Sequence, residues 1–140
     1  MNNMLKIDNW SKRKQTMFQH VEASAGDRAR WIGTNLYYHR RDVAYLNFVL
    51  SKDCTVLDIG CGNGWLLSQL NAKVKCGVDL SPSMVDVAKK TCPEATVIQA
   101  DIESRLDLKK IRALGLTDYI ILSDTLAFLD DIEVGLSHVR

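Results

Sequence analysis

Three glycines at alternate positions, Gly60, Gly62 and Gly64, interrupt an apolar run in the stretch Thr55-Val-Leu-Asp-Ile-Gly-Cys-Gly-Asn-Gly-Trp65. Glycine reaches positive φ and carries no Cβ, so such a turn lets backbone approach a ligand closely. A helical pattern (Trp65, Leu66, Leu67, Leu70) begins directly behind it, and the free N–H groups of a helix start add donors and partial positive charge. Three more groups with chemical potential, Asp79, Asp101 and Ser123-Asp124, each end a short apolar run. Asp79 follows Gly60 by 19 residues, the spacing at which an acid on a second strand accepts from ribose hydroxyls. Together these residues favour a nucleoside-containing ligand. A dinucleotide fingerprint would want Gly or Ala where bulky Trp65 stands, and no Lys-Ser/Thr pair follows the glycines as a P-loop requires.

Placing these residues side by side takes an alternating framework. Strands are expected at about 54–59, 73–79, 95–100 and 119–122, each apolar and each followed by a helical pattern. Ser81 suits an N-cap and Pro82 the first helical position after it, while Lys89 and Lys90 sit where the helix dipole favours cations. Ahead of the first strand, 9–24 reads as an amphipathic helix with Lys12, Arg13 and Lys14 on its outer face. A short segment, Arg28 to Ile32, follows, then a break at Gly33-Thr34-Asn35 and a second helix from Leu36 to Leu50. The βαβαβαβα alternation implies a parallel sheet with right-handed crossovers and helices on both faces. In such a sheet, ligands bind outside the carboxyl ends of the strands, where all the singled-out residues fall.

Composition bounds the function. The 140 residues form one domain, with 18 Lys/Arg against 17 Asp/Glu. Residues 1–50 carry eight basic against four acidic residues, a pattern that suits a solvated helix face better than a nucleic-acid surface. No apolar stretch reaches the 18 residues of a membrane span, and the N-terminus (Asn2, Asn3, Lys6, Asp8) lacks the apolar core of a signal peptide. Cys54, Cys61, Cys76 and Cys92 form no C-x-x-C pair, and His20, His39 and His138 are scattered, so no metal site is expected. Cysteines in apolar runs that stay reduced point to a cytoplasmic location.

The motifs Val56-Leu-Asp-Ile-Gly-Cys-Gly-Asn-Gly64, Gly77-Val-Asp-Leu-Ser-Pro-Ser-Met84, Ala100-Asp-Ile102 and Asp118-Tyr-Ile-Ile-Leu-Ser-Asp124 occur in the order in which the class I S-adenosylmethionine-dependent methyltransferases carry theirs, and the chain resembles that family over about residues 36–140. Tyr37-Tyr-His39, Ser123-Asp-Thr-Leu126 and Asp130-Asp131 are similar to bacterial members that accompany glycosyltransferases. The resemblance implies a Rossmann-like three-layer α/β/α domain over 36–140, truncated to about four strands in the order 3-2-1-4, behind an N-terminal helical segment, 1–35. It implies a cofactor, S-adenosyl-L-methionine, with S-adenosyl-L-homocysteine as product. Gly60, Cys61, Gly62 and Asn63 would wrap its methionine part, with Asp58 fixing the loop or the amino group. Asp79 would take the ribose hydroxyls, Leu80 and Met84 border the adenine, Asp101 accept from the adenine amine and Ile102 pack on the ring. Ser123 would line the floor, and Tyr38 and His39 would close over the cofactor from the N-terminal side. Plainer readings stand beside these: strand-end or helix caps for the three acids, ordinary core for Met84, and packing or surface roles for Tyr38 and His39.

Methyl transfer from a sulfonium is an in-line displacement, served mainly by alignment and exclusion of water. A poorly nucleophilic hydroxyl acceptor would also need a base, for which His39 and Asp124 are candidates. The acceptor is expected to be a small molecule or a glycan- or lipid-linked group. The family's sheet has seven strands in the order 3-2-1-4-5-7-6. A chain ending after the helix behind strand four is therefore either truncated or expected to cover that strand's edge by forming a homodimer. Two other functions compete: a non-catalytic module that binds the same cofactor, and a nicotinamide- or other nucleotide-binding protein, against which Trp65 argues.

Overall fold

The computed structural model describes residues 9–139. The terminal residues read above as lacking a signal-peptide core lie outside them. Three helices come first, α1 (Lys12–Ser24), α2 (Arg28–Thr34) and α3 (Leu36–Val49). Then β1 (Thr55–Ile59), α4 (Trp65–Gln69), β2 (Val74–Asp79), α5 (Pro82–Thr91), β3 (Thr96–Gln99), α6 (Arg105–Arg112), β4 (Tyr119–Ile121) and α7 (Ile132–Ser137) alternate as the pattern required. The break expected at Gly33-Thr34-Asn35 is confined to Asn35, because α2 runs on through Thr34.

All pairings are parallel and the order is β3-β2-β1-β4. Thr55 sits opposite Val74 and Ile59 opposite Val78, while Asp79 ends level with Gln99. Side chains alternate across the sheet, so neighbouring residues of β1 enter different cores. Leu57 and Ile59 join Cys76, Val78, Ile102 and Ile111 on one face, and Val56 joins Leu50, Cys54, Leu67 and Cys92 on the other. The result is the expected three-layer α/β/α arrangement, with α6 and α7 on one side and α3 and α4 on the other. Among the described residues β4 pairs with β1 alone, and Ile120 is 37% exposed.

The caps follow sequence chemistry. Ser81 and Ser104 accept from the backbone N–H three residues on and start α5 and α6, and Asp131 does the same for α7. All four cysteines are buried and free of disulfides.

Candidate functional site

The loops after β1, β2, β3 and β4 converge on a cavity of about 330 Å³. Gly60 and Gly62 of the glycine turn line it. The N–H groups of Gly60 and Cys61 both donate to Val78 O, at 2.7 and 3.0 Å, and Gly62 N–H donates to Asp79 Oδ2 at 2.8 Å. The glycine turn is thus clamped onto the end of β2. Gly60, at φ +79°, allows no side chain: a Cβ would overlap the Thr125 hydroxyl, which donates to Ile59 O at 2.7 Å. Gly62, at φ +54°, differs, because a Cβ there would meet nothing within 4 Å. It borders open space.

Asp79 lies across from this turn and also accepts from Ser81 N–H at 2.9 Å. Burial pushes its carboxyl upward, and the N–H groups of Ser81, Gly62 and Leu80 pull it back down. Leu80, Met84, Asp101, Ile102 and Ser123 complete the sheet side of the cavity. Asp58, Cys61 and Asn63 face a second, smaller cavity of about 60 Å³ that shares Gly60, Gly62 and Ser123 with the first. Asn63 Oδ1 accepts from Trp65 N–H at 3.1 Å and so starts α4. Asp58 is 1% exposed, and its Oδ1 is buried without a hydrogen-bond partner among the described residues. Burial first, and the charge of Asp79 second, push its carboxyl from 3.8 up to about 7. Cys61 is also pushed far upward by burial, which makes it a small packing residue rather than a nucleophile.

Twelve of the thirteen residues expected at the cofactor, His39 among them, therefore line these two cavities. The thirteenth does not. Tyr38 is 70% exposed and rests edge-on against Tyr37, with ring centroids 5.7 Å apart. Its neighbour His39 turns inward instead, between Trp31 and Trp65. One helical step is a rotation of about 100°, which suffices to exchange the two environments.

The second correction concerns Lys14, expected on the outer face of its helix. It is 4% exposed and bonds both oxygens of Asp101, at 3.0 and 2.9 Å, as well as Glu103. Trp10 Nε1 adds a bond to Asp101 at 3.1 Å. Along α1, Met17, Phe18 and Val21 face the large cavity, and Glu22 accepts from the hydroxyls of Ser81 and Ser83. Thus α1 roofs the cavity and is tied to the loops after β2 and β3. Sequence reasoning missed Lys14, Glu22 and Arg28, the last of which lines both cavities. The apolar i, i+1, i+4 face of α1 was the one available signal that this helix covers something.

A parallel sheet ordered 3-2-1-4, with a glycine turn after β1 and acids after β2 and β3, defines the class I S-adenosylmethionine-dependent methyltransferase fold. N-methyltransferase NodS from Bradyrhizobium japonicum WM9, solved with S-adenosyl-L-homocysteine, matches with a TM-score of 0.69 at 18% identity, over 87% of this chain and 65% of that one. Magnesium protoporphyrin IX methyltransferase from Synechocystis PCC 6803, solved with S-adenosylmethionine bound, matches at 0.68 and 20%, over 94% and 72% of the two chains. By sequence, magnesium-protoporphyrin O-methyltransferase from Rhodobacter capsulatus is 31% identical over 85 residues, 59% of this chain and 37% of the relative. The sequence model of the methyltransferase-domain family matches residues 56–139, and the chain belongs to that family. It spans about a third of the length of the relatives matched by sequence, 30% and 37%.

Proposed function

We propose that the chain binds S-adenosyl-L-methionine and acts in transfer of its methyl group to a small-molecule or glycan- or lipid-linked acceptor. The observation that carries this reading is Asp79 hydrogen-bonded to Gly62 N–H at the wall of the large cavity, a carboxylate set beside backbone that a ligand can touch. The site fits the cofactor in two further respects. Apolar residues on both walls (Phe18, Val21, Met84, Ile102) suit a flat heterocycle, and the orphaned Asp58 Oδ1 suits an ammonium group. In this assignment Asp79 takes the ribose hydroxyls, Leu80, Met84 and Ile102 border the adenine, and Asp101 stands at its amine edge. Gly60, Cys61, Gly62, Asn63 and Ser123 surround the amino-acid arm. Residues 36–140 supply the cradle and the helices of 1–35 its roof.

When bound, the cofactor supplies an electrophilic methyl on a sulfonium, which leaves as a neutral thioether once an acceptor lone pair takes the carbon. The chain's own contribution is alignment and dryness: the clamped glycine turn holds one side of the ligand rigid, and α1 excludes water from the other. We also propose that the outer edge of β4, where Ile120 is part-exposed, pairs with a second copy. Sedimentation of a clean monomer at micromolar concentration would refute that pairing.

Calorimetry with S-adenosylmethionine, S-adenosylhomocysteine and NAD tests the main reading. Micromolar binding of the first two and none of NAD is expected. Asp79→Ala should weaken it at least about 100-fold, since charge-assisted hydrogen bonds each contribute about 1.5–3 kcal/mol. A folded sample that binds neither sulfur nucleoside overturns the proposal.

A further inference from the structure

Two buried side-chain polar atoms lack a hydrogen-bond partner among the described residues, Asp58 Oδ1 and His39 Nε2. Both belong to the lining of the same small cavity of about 60 Å³. Buried polar groups are nearly always satisfied in folded proteins, so an orphaned acceptor and an orphaned ring nitrogen lining one cavity point to a group that completes them.

A third residue joins them. Arg28, at the start of α2, lines this cavity and the large one, and it forms no ion pair among the described residues. Its guanidinium lies over the Trp31 ring, 4.3 Å from the centroid, so stacking holds the plane in place. The His39 ring is likewise fixed, with centroids 5.2 Å from Trp31 and 5.7 Å from Trp65. The lining from α2 and α3 therefore presents donors, and that from β1 presents an acceptor. Asp42 and Asp124 reach the rim as well, both exposed to solvent. The complement of such a space is a zwitterion.

We propose that Arg28 and His39 hold the α-carboxylate of the cofactor while Asp58 Oδ1 receives its α-ammonium, so that helices α2 and α3 read the amino-acid end of the ligand. This rests on the cofactor assignment above and adds what selects for it. A guanidinium fork matches a carboxylate bidentately, and His39 with its proton on Nε2 adds a third donor. The adenosine end would be held by the large cavity and the amino-acid end by elements that precede β1. Ligands that lack the amino-acid head would then lose the second set of contacts and keep the first.

The test compares S-adenosylhomocysteine with 5′-methylthioadenosine, which has the adenosine and the sulfur but neither carboxylate nor ammonium. Arg28→Met should weaken S-adenosylhomocysteine roughly 10- to 100-fold, the range expected for charged hydrogen bonds, and leave 5′-methylthioadenosine within twofold of wild type. Arg28→Lys keeps the charge without the fork and should fall between, and His39→Phe should show the same selectivity with a smaller loss. If Arg28→Met binds S-adenosylhomocysteine as wild type does, the clamp is wrong and the cofactor assignment stands. Equal weakening of both ligands also overturns the clamp, because Arg28 then acts only on the architecture of the site. Wild type binding neither ligand would overturn the cofactor assignment and the clamp with it.

Discussion

Replacing Asp58 by asparagine should make the ligand-free protein progressively more stable than wild type as pH rises. Asp58 is fully enclosed at the end of β1 and its carboxyl is raised from 3.8 to about 7 by burial and by Asp79. Between those two values the folded state holds a proton that the unfolded state has released. Stability is therefore full below about pH 4, falls as pH rises through the window, and is flat above about pH 7. At 1.36 kcal/mol per pH unit, the stretch from pH 5 to 7 alone carries a loss of roughly 3 kcal/mol in wild type. Asparagine has the same shape and cannot ionise, so it escapes this loss. Its own unpartnered amide costs roughly 1–3 kcal/mol, but that cost does not vary with pH. Urea unfolding of both proteins at pH 5, 6, 7 and 8.5 isolates the effect of Asp58 and its coupled neighbours Asp79 and Cys61, because the remaining titrating groups cancel in the difference. The gap should widen by roughly 3 kcal/mol in favour of the variant, or about 10 °C in Tm. Curves that stay parallel would show that Asp58 titrates as an ordinary carboxylate, and the argument from its burial and orphaned oxygen would fail. A ligand ammonium at Asp58 would restore the ionised form, so wild-type affinity for S-adenosylhomocysteine should climb up to about pH 7, by at most tenfold per unit, and that of the variant should not.

Two further substitutions separate fold from site. Gly60→Ala forces a methyl group onto the Thr125 side chain, whose Cγ2 would be 2.8 Å away, at a positive φ; a loss of about 3 kcal/mol or more in urea unfolding is expected. Gly62→Ala meets no atom within 4 Å, so its cost is the left-handed conformation alone, about 1–2 kcal/mol, while calorimetry should show S-adenosylhomocysteine weakened more than about tenfold, since the methyl occupies ligand space. Lys14→Met strips the cation from two carboxylates in the roof and should cost about 3–5 kcal/mol. Pairing it with Asp101→Asn should recover part of that loss, and strict additivity of the two variants would contradict the ion pair.

The sheet was legible because its signals are local. Apolar runs of strand length, the glycine turn behind Asp58, the Ser81-Pro82 start of α5 and the acids that end β2 and β3 each declare themselves within a few residues, and the topology places them together. What closes over them has no such signature. Lys14 meets Asp101 at a separation of 87 positions, and Glu22 meets Ser83 at a separation of 61. In the sequence, Lys14 is one more cation in Lys12-Arg13-Lys14, and three adjacent cations on a helix look like a solvated face. The helix cannot present all three alike, since they span about 200° of its circumference, and one of them is carried to the side where the carboxylates are. The Tyr38 and His39 exchange has the same origin: the segment reaches the small cavity through His39, because the rotation of α3 is set by Trp31 and Trp65 packing against it from other elements. Strand-end motifs therefore report the class of ligand, whereas the residues proposed to enclose and select it sit on helices whose phase only tertiary packing determines. For this chain those helices are α1 to α3, which lie mostly or wholly ahead of the first matched residue, 56. That is why the glycine turn and its acids can resemble a large family while the roof and the small cavity carry what is particular to this protein.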